Sequence, residues 1–514
     1  MKQTFDHIVI GAGHNGLACA HALARAGRSV LLLEAAAQAG GAAVTREFAP
    51  GCRVSAAAHL LGGLSGALIR DMELERHGLA LCARDLPTVA LHPAQAPIVI
   101  RGASVSGAGD ADARAYPAFR RRMARFAGII EQLAVMRPFR LSFETRPERL
   151  DALRLALGIR LLGRRDMREF LRIAAMNAYD LLCENFTSER LRGALAMDAT
   201  LGAEYAARSP GTVLTLLHRW AGPPEGPALP AGGMGAVTQA MARSAAAAGA
   251  RLRTGARVRS VTVEQDRASG VVLESGEILA AKSVVSNADP RTTFLRLVPP
   301  EALDTDFVRR VSHLRARGLV AKLHLAVDGL PAFQGLDAQA LGGRLLIAPS
   351  LDYLELAYNP SKYREVPAEP AMEITVPSLH DASLAPAGTH VMSINLMFVP
   401  YEAAAGAQGA RDRLLEAALR VLERHAPGLE ARIRASELLM PADLEREFGM
   451  AGGHWHHGAL ALDQYFFSRP VFGAARYGTP LPGLYLCGAG SHPGGGVHGL
   501  AGRNAARAIL EGTS

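Results

Sequence analysis

The chain has 514 residues, 49% of them hydrophobic, which is enough for two or three domain cores and too apolar for a disordered chain. The formal net charge of +8 is scattered, with its densest run at Arg120-Arg121-Arg122, and only 5% of residues are aromatic, so a basic stacking platform for nucleic acid is not expected. Five cysteines stand far apart with no CxxC pair, which argues against a disulfide framework or a zinc site and fits a reducing, cytoplasmic setting.

Residues 5–34 read as a buried strand, a glycine turn, a helix of small residues and a second buried strand ending in an acid. Gly11-Ala-Gly-His-Asn-Gly16 is the turn: Gly11 permits its tightness, Gly13 lets a pyrophosphate approach the backbone, and Gly16 lets the helix pack on the sheet. The free N–H groups of that helix start, around Asn15, suit phosphate oxygens. Glu34 follows Gly16 by 18 residues, the distance at which an acid accepts from a ribose hydroxyl. Strand, helix and acid around one Gly-x-Gly-x-x-Gly make a dinucleotide site the expectation. The first strand starts too early, and is broken by Asp6 and His7, for a signal peptide to be expected, and no run nears the ~20 apolar residues of a membrane span.

The Gly40-Gly41 pair allows the backbone to pass close to a bound cofactor. His59 follows in an apolar stretch, as a core histidine or as a group facing the reactive end of a cofactor. Residues 113–221 have mostly helical periodicity with arginines between the apolar positions, a cover packed on the protein or resting on an anionic membrane surface. Gly222-Pro-Pro-Glu-Gly-Pro227 breaks the chain. A helix to about residue 248 and a strand near residue 251 come next. Short strands at 257–264, 268–273 and 277–280 follow, then a buried strand at 282–287. Strands at 319–327 and 391–399 and an amphipathic helix at 411–425 complete the middle.

The C-terminal stretch holds a second glycine loop: Leu484-Tyr-Leu-Cys-Gly-Ala-Gly490, then Ser491-His-Pro-Gly-Gly-Gly-Val-His-Gly499, then a helix at 500–510. Only the Gly11–Gly16 turn has a strand directly before it and an acid-ended strand after its helix, so this loop reads as the far end of the same cofactor, where a helix start would stabilise charge on a flavin ring. Before it, Gly452-Gly-His-Trp-His-His-Gly458 offers His457 as a base able to move protons near neutral pH, or as a group that orients the loop. His454, His456 and His457 have no trusted zinc spacing, so no metal is expected.

These pieces resemble the phytoene desaturase-like flavoproteins within the amine-oxidase-like superfamily. The resemblance is carried by Gly11 to Gly16, Glu34 with Gly40-Gly41, Pro230-Ala-Gly-Gly-Met-Gly235, Val284-Val-Ser-Asn-Ala-Asp289 and the C-terminal loop. Closer still is the branch of pyridine nucleotide-disulphide oxidoreductase domain-containing protein 2, matched at Phe448-Gly-Met-Ala-Gly-Gly453, His457-Gly458, Leu462-Asp-Gln464, Arg469-Pro470 and His492-Pro-Gly-Gly-Gly496. The resemblance implies an α/β fold with a Rossmann-type FAD-binding domain (residues 1–95, 222–290 and 445–514). It adds a helical lid region (96–221) and a mixed α+β substrate domain (291–444). It implies non-covalent FAD lined by Gly11, Gly13, Gly16, Glu34, Gly41, Val258, Gly488 and Val497, with Asn15, Gly40 and Gly496 beside them. Bacterial phytoene desaturases usually carry an arginine after the glycine pair; Ala42 stands here, which argues against a carotenoid but not against FAD.

The expected activity is FAD-dependent desaturation of a hydrophobic small molecule, isoprenoid or lipid-like, in a mostly apolar pocket, with oxygen or a quinone as electron acceptor. An amine or alcohol oxidase, and a flavin-binding partner protein with little turnover, are the alternatives.

Overall fold

The computed structural model describes residues 4–140, 142, 145–222, 226–406 and 408–512. Strand β2 (Val30–Leu33) and the Ile8–Ile10 half of β1 (Thr4–Ile10) are apolar on both faces, as central parallel strands require, and helix α1 (His14–Arg25) crosses between them. Their register pairs His7 with Val30 and Ile10 with Leu33. Arg251–Arg253 extends the sheet beyond β2, and Ile278–Ser286 pairs parallel on the other side of β1. That last strand is continuous over nine residues, where the sequence suggests two short strands. Lys282 does not interrupt it, because its ammonium lies on the solvent side 2.7 Å from Asp6. Its first half pairs with the hairpin Val258–Glu264 and Arg267–Leu273, and its second half pairs parallel with Leu484–Leu486. The two ends of the chain therefore meet in one sheet.

A second sheet has eight strands, in the order Ile433–Leu439, Val320–Asp328, Thr389–Met397, Met372–Thr375, Arg344–Ile347, Thr88–Ala90, Ile98–Arg101 and Ser104–Ser106. The last three come from the segments 1–95 and 96–221 yet join this sheet, because Thr88–Ala90 pairs parallel with Arg344–Ile347. Conversely, Phe294, Leu297, Phe307 and Val311 pack on the nucleotide sheet beside Ile8 and Leu33, although they follow residue 290. One face of the second sheet is apolar (Leu323, Leu325, Ile374, Ile394, Leu396) and lies against Leu414, Ala418, Val421 and Leu422 of helix Gln408–His425. The opposite face carries Lys322, His324, Glu373 and Asn395, all buried.

Among the described residues, six helices between Asp110 and Trp220 cover that region, around a core of Phe119, Phe126, Phe186 and Leu216. The periodic stretch 167–182 is split into Arg164–Ile173 and Ala178–Asn185, because the Asn177 side chain caps the second helix through the Asp180 N–H. Of the break at Gly222-Pro-Pro-Glu-Gly-Pro, Pro223, Pro224 and Glu225 lie outside the described residues.

Candidate active site

The fingerprint turn is set by close backbone approaches. Gly11 has φ +93° and donates its N–H to the Leu33 carbonyl at 2.7 Å, which ties the turn to the end of β2. A Cβ on Gly16 would fall 2.1 Å from the Gly11 oxygen, so only glycine lets α1 start here. Gly40 bridges to Gly13, and a Cβ on Gly41 would stand 3.3 Å from the Gly13 Cα. The two glycine segments thus form a cradle that side chains would fill. Three polar atoms around it are buried without partners: Asn15 Oδ1, His14 Nε2 and His498 Nε2.

Glu34 is buried, and its carboxylate is already oriented. Oε2 accepts from the Ala12 N–H at 2.7 Å and Oε1 from the Ala36 N–H at 2.9 Å. A carboxylate accepts about four hydrogen bonds, so about two remain for ribose hydroxyls.

From this cradle a cavity of about 1080 Å³ runs past Val258, Gly496 and Val497 to His59, Tyr116 and Trp220. Ligand pockets usually hold ~300–1,000 Å³; this one is large enough to be shared by a dinucleotide and a substrate. Gly11, Gly13, Asn15, Glu34, Gly40, Gly41 and His457 also line it. Gly488 does not: a Cβ there would stand 2.6 Å from the Asn287 carbonyl, so its bareness serves strand packing behind the wall, and its neighbour Ala489 lines the cavity instead. Gly16 is likewise beneath the wall, in the packing role given to it above.

His457 adopts φ +52° and leaves Nδ1 buried without a partner. It lies beside His14 at the start of α1. Burial lowers its pKa, the Asp289 carboxylate opposes that shift, and Arg469 adds to it. His454 is pushed down to about 3, first by burial and then by Arg469 and His457. Its Nδ1 accepts from the His456 N–H at 3.1 Å. Among the described residues no cluster of three His, Cys, Asp or Glu side chains could hold a metal.

The loop carrying these histidines is held by Arg469, which is 1% exposed. Its guanidinium donates only to carbonyls: Ala489 at 2.9 Å, Ala459 at 3.1 Å and Ser491 at 3.2 Å, with Gly458, Gln464 and His456 completing the set. The histidine loop and the C-terminal glycine loop are therefore joined through one cation whose charge no acid among the described residues neutralises at contact.

His59 belongs to a buried polar network on the second sheet. Its Nδ1 accepts from Lys322 Nζ at 2.8 Å, and its Nε2 donates to Glu373 Oε1 at 2.9 Å. Lys322 also donates to Asn395 Oδ1 at 3.0 Å, and Asn395 Nδ2 donates to Glu373 at 2.9 Å. Arg344 bridges Glu373 and Asp198, the latter at 2.7 Å. Burial drives the Lys322 ammonium well below its ordinary pKa. Burial and the Lys322 charge push His59 down to about 4, although Glu373 opposes them. For Glu373, burial acts upward, but Arg344 and His59 outweigh it and hold the carboxyl well below its usual range. Both His59 nitrogens are engaged, so it serves the network rather than a free base.

Composition and periodicity gave no hint that Lys322, Arg344, Glu373, Asn395 and Asp198 converge. A signal existed for three of them: Lys322, Glu373 and Asn395 each stand between two apolar neighbours in a strand, as in Ala-Lys-Leu and Met-Glu-Ile.

A β-α-β nucleotide cradle opening into one cavity beneath a charged sheet face and a helical cover defines a flavin-dependent oxidoreductase. The chain belongs to the flavin containing amine oxidoreductase family, which it matches over residues 16–510. It is 36% identical over 545 residues to pyridine nucleotide-disulfide oxidoreductase domain-containing protein 2 of Rattus norvegicus, covering 99% of this chain and 94% of the relative. Hydroxyneurosporene desaturase of Cereibacter sphaeroides is 30% identical over 538 residues, covering 98% and 97%. The fold is also that of cyclohexylamine oxidase from Brevibacterium oxydans, with a TM-score of 0.58 at 17% identity over 99% of both chains. The cofactor is FAD, which when bound accepts a hydride from a substrate carbon. Gly13, Asn15 and Gly41 would hold its pyrophosphate, Glu34 its ribose, and Gly496 and Val497 its ring end. The bare glycine cradle and the unpartnered Asn15 fit that group.

Proposed function

We propose that the enzyme is a desaturase-like oxidase: a hydride leaves one carbon of a hydrophobic small molecule and a proton leaves its neighbour. The reading rests on the single continuous cavity, which places any molecule lying beside the C-terminal loop within the reach of the fingerprint site. The whole-length similarity to a desaturase supports it. Only the Gly11–Gly16 turn carries the full β-α-β fingerprint with its ribose acid, and FAD fills it, so oxygen or a quinone, rather than a nicotinamide, is the proposed acceptor of the electrons.

His457 is the proposed base. Its buried, partnerless Nδ1 and lowered pKa keep an imidazole neutral and ready to take a proton at the cavity wall. The charged groups at the His59 end make the chamber less apolar than the sequence suggests.

A peripheral membrane contact completes the proposal. On the helix Arg146–Leu161, Leu155 and Ile159 pack inward, while Leu150, Leu153, Leu157 and Leu161 are 53–73% exposed on the opposite side. Arg154 and Arg160 flank that stripe and are exposed. A helix that is apolar on both sides, with arginines at its border, suits an anionic lipid surface.

The test is anaerobic mixing of the FAD-loaded enzyme with a lipid and isoprenoid panel. Bleaching of the flavin by an apolar member supports the reading; bleaching only by amines would replace it with an amine oxidase.

A further inference from the structure

At the end of the cavity away from the nucleotide, five charged side chains line the wall: Arg120, Arg219, Arg344, Asp198 and Glu373. Both acids are fully engaged. Glu373 is held by His59, Asn395 and Arg344. Asp198 accepts from Arg344 at 2.7 Å and from Trp220 Nε1 at 2.9 Å, with Arg219 at 4.0 Å. Three guanidinium groups thus face two carboxylates, and the surplus is positive.

Arg120 is the member left over. Its guanidinium lies 4.3 Å over the Trp220 ring, and Nη1 is buried with no hydrogen-bond partner. A guanidinium fixed on an aromatic face, its donors unmatched by any acid among the described residues, is arranged to receive a planar or tetrahedral oxyanion. Arg120 is half-buried and Arg219 is exposed, so this end of the chamber is also its wetter end. The same helix, Asp110–Val135, continues inward with Ile130 and Ala134 on the cavity wall. Arg120 and Ala134 are ~21 Å apart along the helix axis. At the inner end, the Ala134 carbonyl accepts from Asn504 at 2.9 Å and the Leu133 carbonyl contacts His492 at 2.8 Å, so the helix leads to the C-terminal glycine loop.

Taking the cavity as the substrate chamber proposed above, we infer that the substrate is an amphiphile with an anionic end, a carboxylate or a phosphate. Arg120 and Arg219 hold that end against Trp220, and the apolar part runs inward along Ile130 and Ala134. A protonated amine meets the surplus positive charge instead and is disfavoured, which separates this chamber from one built for alkylamines.

The test uses the FAD-loaded enzyme and four probes with the same tail: decanoate, decyl phosphate, decanol and decylamine. Binding is read from the perturbed flavin absorbance and from the thermal shift, without turnover. At least one of the two anions should bind tenfold or more tightly than decanol, with decylamine weakest; which anion wins tells carboxylate from phosphate. Arg120→Gln should abolish the preference for the anion while leaving decanol binding as it was, and Arg120→Lys should keep part of it. Decanol binding as tightly as both anions, or an undiminished preference in Arg120→Gln, overturns the inference. An anion preference with no bleaching by any panel compound would count against the desaturase reading alone. Bleaching by a neutral isoprenoid without an anion preference would count against the anionic end alone.

Discussion

Glu34→Gln tests the cradle in a way that separates folding from cofactor binding. The carboxylate receives the Ala12 N–H on one oxygen and the Ala36 N–H on the other. A glutamine amide has only one acceptor oxygen, so one of these N–H groups must face an NH₂. A buried donor left unmade costs about 1–3 kcal/mol, and the surviving bond falls from a charged to a neutral acceptor, about 1 kcal/mol more. The FAD-free protein should therefore lose about 2–4 kcal/mol, out of a total of about 5–15 for a folded protein. FAD loses a charged acceptor at its ribose as well, about 1.5–3 kcal/mol, or ten- to a hundredfold in affinity. Chemical denaturation of the FAD-free forms gives the first quantity, and titration with FAD gives the second. An FAD-free variant as stable as wild type would refute the orienting role of the two N–H groups. An unchanged FAD affinity would refute the ribose assignment.

Gly13→Val should give a folded protein without FAD. The new Cβ stands 3.0 Å from Asn287 Nδ2, which can yield, but the branched side chain occupies the cradle; a yellow variant with full FAD content would contradict this. His457→Ala should keep its flavin and lose about 10²–10⁴-fold in the rate of flavin reduction by substrate. Because burial lowers the His457 pKa, the neutral base persists to more acid pH than in a free imidazole, so the acid-side fall of the wild-type rate should have its midpoint below the ordinary histidine value of about 6.5; a decline centred on 6.5 would show an unperturbed group. Leu153→Ser with Leu157→Ser should reduce co-sedimentation with anionic vesicles at least tenfold, since each buried leucine is worth about 1.5–3 kcal/mol. Equal sedimentation of variant and wild type would remove the membrane contact.

The nucleotide half was legible because its signals are local. Gly11, Gly13 and Gly16 declare a turn within six residues, and Glu34 declares itself by distance along the chain. The loop with Gly496 and Val497 was legible for the same reason. Gly488 misled because a glycine needed for packing on Asn287 looks, in sequence, like one needed for a cofactor. The His59 network was not legible as a unit. Its members come from residues 59, 198, 322, 344, 373 and 395 and meet only when a sheet and a helix cover are assembled. The same holds for Arg120, whose arginine run looks like an ordinary solvated face until Trp220 is placed beneath it.

The pairing of Ile278–Ser286 with β1 on one side and Leu484–Leu486 on the other has a consequence for biosynthesis. The cradle begins at Gly11, yet Gly496 and Val497 are made some 485 residues later. At ~5–20 residues per second, roughly half a minute to a minute and a half separates the two ends. FAD cannot find its whole site until Val497 has been made, so the early-made Gly11 cradle waits for the late-made loop. A stop codon even shortly before residue 484 removes a strand from the sheet and the wall at the ring end together, and such a product should emerge colourless however much of it is made.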